Sequence, residues 1–182
     1  MDFEQEHLCN FQKIFEKIDR NILVTILRHD TRNLLKSLLK LQPTGIIITG
    51  SKFRILHKNA IRLPSTLLEL KIPILGICYG YQWITKELKG EIATFEDQKL
   101  HTYRRRLEIK EPFSVSTKLY EFTHHDYIYT PPYMWKSVIQ YGDQHWMVYD
   151  RQHKQMGIQF HPEKHMASGI AFFTEWLHWI HN

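Results

Sequence analysis

Pro73-Ile74-Leu75-Gly76-Ile77-Cys78-Tyr79-Gly80-Tyr81-Gln82 decides how this chain is read. An apolar run broken by Gly76 ends at Cys78, and Gly80 follows as a helical pattern over 79–88 begins. That order places a thiol on a sharp strand-to-helix turn, at the N-terminus of a helix. Gly76 and Gly80 allow the strained backbone and close approach that such an elbow requires. The helix dipole and the unpaired N–H groups of the first turn favour a thiolate over a thiol. The commonest fate of a free cysteine is that of an inert, buried small hydrophobe. Cys78 reads instead as a nucleophile only if a base and an orienting acid stand elsewhere in the chain.

Both stand at Gly157-Ile158-Gln159-Phe160-His161-Pro162-Glu163. An apolar strand, 156–160, delivers His161 at its end, and Pro162 stops the ladder and fixes the backbone there. Glu163, two residues on, is close enough to hold the imidazole in one tautomer and to favour its protonated form. Cysteine, histidine and carboxylate together make nucleophile, general base and orienter.

With Gly76-Ile77-Cys78-Tyr79-Gly80-Tyr81-Gln82 followed by Gln159-Phe160-His161-Pro162-Glu163, the chain resembles the class I glutamine amidotransferases, and among them the glutaminase domain of the GMP synthases. The resemblance implies a Cys78-His161-Glu163 triad. It also implies that glutamine is the substrate and that no metal or other cofactor is needed. Thr44-Gly45-Ile46-Ile47-Ile48-Thr49-Gly50-Ser51 is similar to the family strand that runs into a Gly-Gly-Pro loop, here Gly50-Ser51-Lys52. By position, the backbone N–H groups of Ser51 and Tyr79 would form the oxyanion hole. Gln82 matches a family substrate contact. Thr123-His124-His125-Asp126 resembles a Ser-His-Gly-Asp segment whose backbone lies along the amino-acid end of the substrate, so His125 and Asp126 are carried over as binding candidates. Glu96-Asp97-Gln98-Lys99-Leu100-His101 stands where the family has a Gly-Glu-Tyr-Gly-like stretch.

Periodicity along the rest of the chain indicates an open α/β, flavodoxin-like, mostly parallel sheet flanked by helices, with a small β-rich extension. A helix is expected over 4–19, with Leu8, Phe11, Ile14, Phe15 and Ile18 on one face, and a strand over 22–27. Asp30 or Thr31 is expected to cap a helix bearing Leu34, Leu35, Leu38 and Leu39. An apolar strand over 45–49, a short helix over 64–71 and the strand 73–77 follow. Short strands are then expected at 105–109, 127–130, 136–140, 145–149 and 156–160. A last helix runs over 167–181, with Ile170, Phe173, Trp176, Leu177 and Ile180 as its apolar stripe. The nucleophile thus falls at the carboxyl end of a strand, where open α/β sheets place their sites. The family's opening strand is expected to be missing ahead of the first helix. It would lie between the strands at 22–27 and 45–49.

The 182 residues suffice for one domain with a real core, and a single domain over 1–182 is expected. Two cysteines, Cys9 and Cys78, make no disulfide framework and suit a reducing, cytoplasmic setting. No apolar run is long enough to span a membrane. The net charge is +5 and the pI about 9.1, a mild basic excess. Arg104-Arg105-Arg106 reads as a charged strand edge, and no nucleic-acid partner is expected. No ATP-binding motif is present, so the resemblance implies a separate ammonia-accepting synthetase, most plausibly one making GMP from XMP. Two other readings stay open: a stand-alone γ-glutamyl hydrolase, and a non-catalytic or partner-regulated binding module.

Overall fold

A computed structural model describes residues 3–182, with side chains from residue 9 onward. The described chain forms two compact units, each assembled from separated segments. The expectation of a missing opening strand falls on the first two residues, which lie outside the described part, as does the side chain of Leu8.

One unit comprises the chain up to residue 26 together with 102–123 and 160–182. Helix α1 (Phe3–Ile18) packs on helix α4 (Met166–His181) through rings: Phe173 lies 5.6 Å from Phe11 and 5.1 Å from Phe15. Gly169 permits this approach, since a Cβ there would stand 2.5 Å from the Ile14 side chain. The other side of α4 covers a three-stranded antiparallel sheet of β10 (Phe160–His161), β5 (Val115–His124) and β4 (His101–Ile109). Phe172 meets Phe160 and Phe113 edge-on. Because α4 packs on both sides, its buried aromatics are Phe172, Phe173, Trp176 and Trp179, a broader face than the expected stripe, and Ile170, Leu177 and Ile180 are only half-buried. Strand β5 was not anticipated; its Ser116, Thr117 and Lys118 interrupt any apolar alternation.

The second unit comprises 27–101 and 124–159. Its five-stranded mixed sheet runs β1 (Ile46–Ile48), β2 (Ile74–Ile77), β9 (Gln155–Ile158), β8 (Gln144–Asp150), β7 (Lys136–Tyr141). The first three strands are parallel, with Ile46 opposite Ile74 and Gly76 opposite Gly157; the remaining pairings are antiparallel. Parallel strands buried on both faces need apolar residues throughout, which accounts for Ile46-Ile47-Ile48. Helix α3 (Tyr79–Glu87) lies against this parallel half at backbone distance. A Cβ on Gly80 would stand 2.0 Å from the Ile48 carbonyl oxygen, and one on Gly157 would enter the Tyr81 ring. A two-stranded ribbon of β3 (Glu91–Thr94) and β6 (Asp126–Thr130) completes the unit.

Four local expectations are corrected. Residues 22–28 form no strand, and Leu23 is 89% exposed: the five-stranded sheet ends at β1, and no described strand offers 22–27 a ladder. Helix α2 (Leu34–Leu41) is not capped by Asp30 or Thr31. It starts after Asn33, which adopts a left-handed conformation (φ 57°), while Asp30 pairs with Arg28. The helix expected over 64–71 is a 3-10 turn, Ser65–Glu69. The run 156–160 also divides at Gln159, so its two ends, β9 and β10, belong to different sheets. Among the described residues, no helix is long and apolar enough to cross a membrane.

Candidate active site

Strand β2 ends at Ile77 and α3 begins at Tyr79, so Cys78 alone makes the turn. Its backbone sits at φ 51°, ψ −103°, a region that favours glycine and costs a side-chain-bearing residue about 1–3 kcal/mol. The strain of the elbow therefore rests on the cysteine itself, while Gly76 and Gly80 supply the close approach. The turn is held by neighbours in its own unit: Cys78 N–H donates to the Ile158 carbonyl at 2.7 Å, and Gln82 N–H donates to the Cys78 carbonyl at 3.0 Å. Cys78 is 5% exposed.

Gln159 is a residue to which the sequence assigned no role. Its side-chain Nε2 donates to Cys78 Sγ at 3.4 Å, and its backbone N–H donates to Trp146 at 2.8 Å. The one signal for it was a polar residue inside the apolar run 156–160, and it is fully buried.

Tyr79 opens α3, where the first N–H groups of a helix have no intrahelical acceptor. Its hydroxyl donates to the Ile61 carbonyl at 2.9 Å, and burial pushes that phenol up from its ordinary value. Ser51 lies in the loop after β1, and its Oγ accepts the Phe53 N–H at 3.2 Å. Ser51 is not among the positive-φ residues, so the serine stands there without backbone strain.

In the other unit, His161 ends β10, and Glu163 follows within the 3-10 turn Pro162–Lys164. His161 Nδ1 and Glu163 Oε1 are 2.7 Å apart, and both residues are buried. A carboxylate at Nδ1 fixes the proton there and leaves Nε2 as the basic nitrogen. Glu121 on β5 is the register partner of His161 and accepts from Lys164 Nζ at 2.5 Å. Burial raises the Glu121 carboxyl, but the Lys164 hydrogen bond, with the charges of Lys164, Arg104 and His161, holds it below the ordinary carboxylate value.

The binding candidates of the second unit converge on Asp126. Gln82 Nε2 donates to the Asp126 carbonyl at 2.7 Å. The Asp126 carboxylate is 2% exposed and receives Arg54 Nη2 at 2.6 Å and Arg54 Nε at 3.2 Å. Thr94 Oγ1 also donates to it, at 2.7 Å. The His125 carbonyl accepts the Phe95 N–H at 3.3 Å, and its buried Nδ1 has no partner among the described residues. The segment 96–101 closes on itself: His101 Nε2 lies 2.9 Å from Asp97 Oδ1, and the His101 ring stacks on Phe95. Among the described residues, no three of His, Cys, Asp or Glu gather in a way that would hold a metal ion.

The chain belongs to the class I glutamine amidotransferases, whose family model matches residues 2–176. Within that class it is similar to GMP synthases. It is 30% identical over 154 residues to the glutamine-hydrolysing GMP synthase of Gloeothece citriformis, covering 80% of this chain and 28% of the relative. It is 31% identical over 137 residues to that of Nitratidesulfovibrio vulgaris, covering 72% of this chain and 27% of the relative. The chain thus spans less than a third of the length of these curated relatives. The crystal structure of a proposed GMP synthase subunit from Thermoplasma acidophilum shares the fold, with a TM-score of 0.70 at 17% identity. That match covers 94% of this chain and 88% of the other.

Proposed function

We propose that this protein is a glutaminase that hydrolyses the side-chain amide of glutamine to glutamate and ammonia. Cys78 is the nucleophile, His161 the general base and acid, and Glu163 the group that orients the imidazole. The thiolate attacks the amide carbon, and the oxyanion that forms is received by the backbone N–H groups of Ser51 and Tyr79. As the tetrahedral species collapses, the carbon–nitrogen bond breaks and His161 returns its proton to the departing ammonia. Water then attacks the thioester, His161 takes its proton, and glutamate leaves as the thiol is restored. Gln82 is assigned as a substrate contact, and the backbone at His125 and Asp126 to the amino-acid end of the substrate.

The observation that carries this reading is the backbone of Cys78. A cysteine held at φ 51° between a buried parallel strand and a helix N-terminus retains a conformation that packing alone would not select. Ammonia released into water would be lost to synthesis, so the reading includes a separate synthetase that receives it. The similarity to GMP synthases favours one acting on XMP.

The test is covalent labelling by the glutamine analogue 6-diazo-5-oxo-norleucine, located by peptide mass spectrometry and run beside a glutamate-release assay. Label on Cys78, and loss of both label and turnover in Cys78→Ala, are expected. Wild-type turnover in Cys78→Ala would sink the reading.

A further inference from the structure

We propose that Arg54 and Asp126 form a positioning pair that sets the loop carrying Ser51 for oxyanion stabilisation. This inference rests on the glutaminase reading above. No motif singles out Arg54, and the structure brings it to Asp126 across 72 positions of sequence.

The geometry is that of a closed clamp. Arg54 engages both carboxylate oxygens of Asp126, at 2.6 and 3.2 Å, in the bidentate arrangement that fixes direction as well as distance. Arg54 Nη2 also donates to Thr94 Oγ1 at 3.2 Å, and Thr94 in turn donates to Asp126, its cross-strand partner in the β3–β6 ribbon. Three donors on one carboxylate leave little capacity for a ligand ammonium, so the side chain serves as a brace. Its carbonyl meanwhile accepts from Gln82, one helical turn beyond Cys78. Asp126 therefore links the nucleophile helix to the loop that holds Ser51.

The loop has two further ties to the same helix: Lys86 Nζ donates to the Ile55 carbonyl at 3.1 Å, and the Tyr79 hydroxyl donates to Ile61. Arg54 is three residues from Ser51, nearer than either tie. It is the anchor that governs where the Ser51 N–H points.

The experiment compares wild type, Arg54→Met, Arg54→Lys and Asp126→Asn in the full chain. Three quantities are read: glutaminase kcat and KM, iodoacetamide alkylation of the Cys78 peptide, and hydrogen exchange of the 50–56 backbone. Arg54→Met and Asp126→Asn are expected to lower kcat about tenfold to a hundredfold, the range a misplacement of about 1 Å produces. KM should stay within about threefold, and alkylation, which needs no oxyanion donor, should keep its wild-type rate. Arg54→Lys should recover part of kcat. Exchange over 50–56 should quicken about tenfold in Arg54→Met, given a loss of roughly 1.4 kcal/mol in local stability. A wild-type kcat in Arg54→Met, or equal losses of turnover and alkylation, would overturn the positioning role. Unchanged loop exchange would overturn it even in a protein without turnover. Absence of turnover and of analogue labelling in the wild type would instead overturn the glutaminase reading and the oxyanion role with it, while loop exchange would still separate that failure from a failure of the Arg54–Asp126 clamp.

Discussion

At the scale of single residues, Cys78 combines two demands on one position: a side chain able to attack and a backbone that glycine would adopt more easily. The two can be separated. Cys78→Gly and Cys78→Ala both lack the thiol, but only alanine keeps the strain of φ 51°. Thermal unfolding should find Cys78→Gly more stable than Cys78→Ala by about 1 kcal/mol. Gln159 offers a second test. Its amide is a buried donor to Sγ, and a typical intramolecular hydrogen bond contributes about 0.5–1.5 kcal/mol. Gln159→Met, which keeps the volume and removes the donor, should cost about 1 kcal/mol in thermal unfolding. The candidate triad could be read from the chain because each member sits beside residues with strong local demands: glycines around Cys78, and Pro162 between His161 and Glu163. Gln159 and Arg54 could not. Their roles depend on partners 81 and 72 positions away, and no local spacing encodes such a pair.

Among the elements, the contact of α3 with the parallel strands is at backbone distance, and it bears directly on the site. Gly80→Ala would drive a methyl group into the Ile48 carbonyl oxygen, a backbone atom that cannot step aside. A loss of about 3 kcal/mol is expected in chemical denaturation, at the upper end of ordinary overpacking. The Lys164–Glu121 bond between the 3-10 turn and β5 gives a pH-dependent term. Because the Glu121 carboxyl is held below its ordinary 4.5, its stabilising effect is complete above about pH 4.5 and is lost as pH falls through the lowered value. Glu121→Gln should therefore cost about 1 kcal/mol at neutral pH, after discount for partial exposure, and the gap from wild type should close as pH falls through the lowered Glu121 value. The helices and the buried parallel strands follow from apolar period and run length. The segment 22–27 shows where that logic ends: its composition suits a strand, but a strand exists only beside another, and the sheet stops at β1.

For the molecule as a whole, the family is settled by the match over residues 2–176, while the matched stretch spans only 28% and 27% of its two GMP synthase relatives. The proposed partner supplies the test at this scale. Glutamate release should rise about fivefold to a hundredfold when an XMP-directed synthetase is added with ATP and XMP, the usual span of coupling between sites. Equal rates with and without it would argue for the stand-alone hydrolase. The mixed five-stranded sheet carries one more consequence. Its two rims are β1, only three residues long, and β7, whose register slips twice between Ser137 and Gln140. A very short rim and a bulged one are poor templates for ribbon growth, so this sheet should resist edge-to-edge pairing with a second copy.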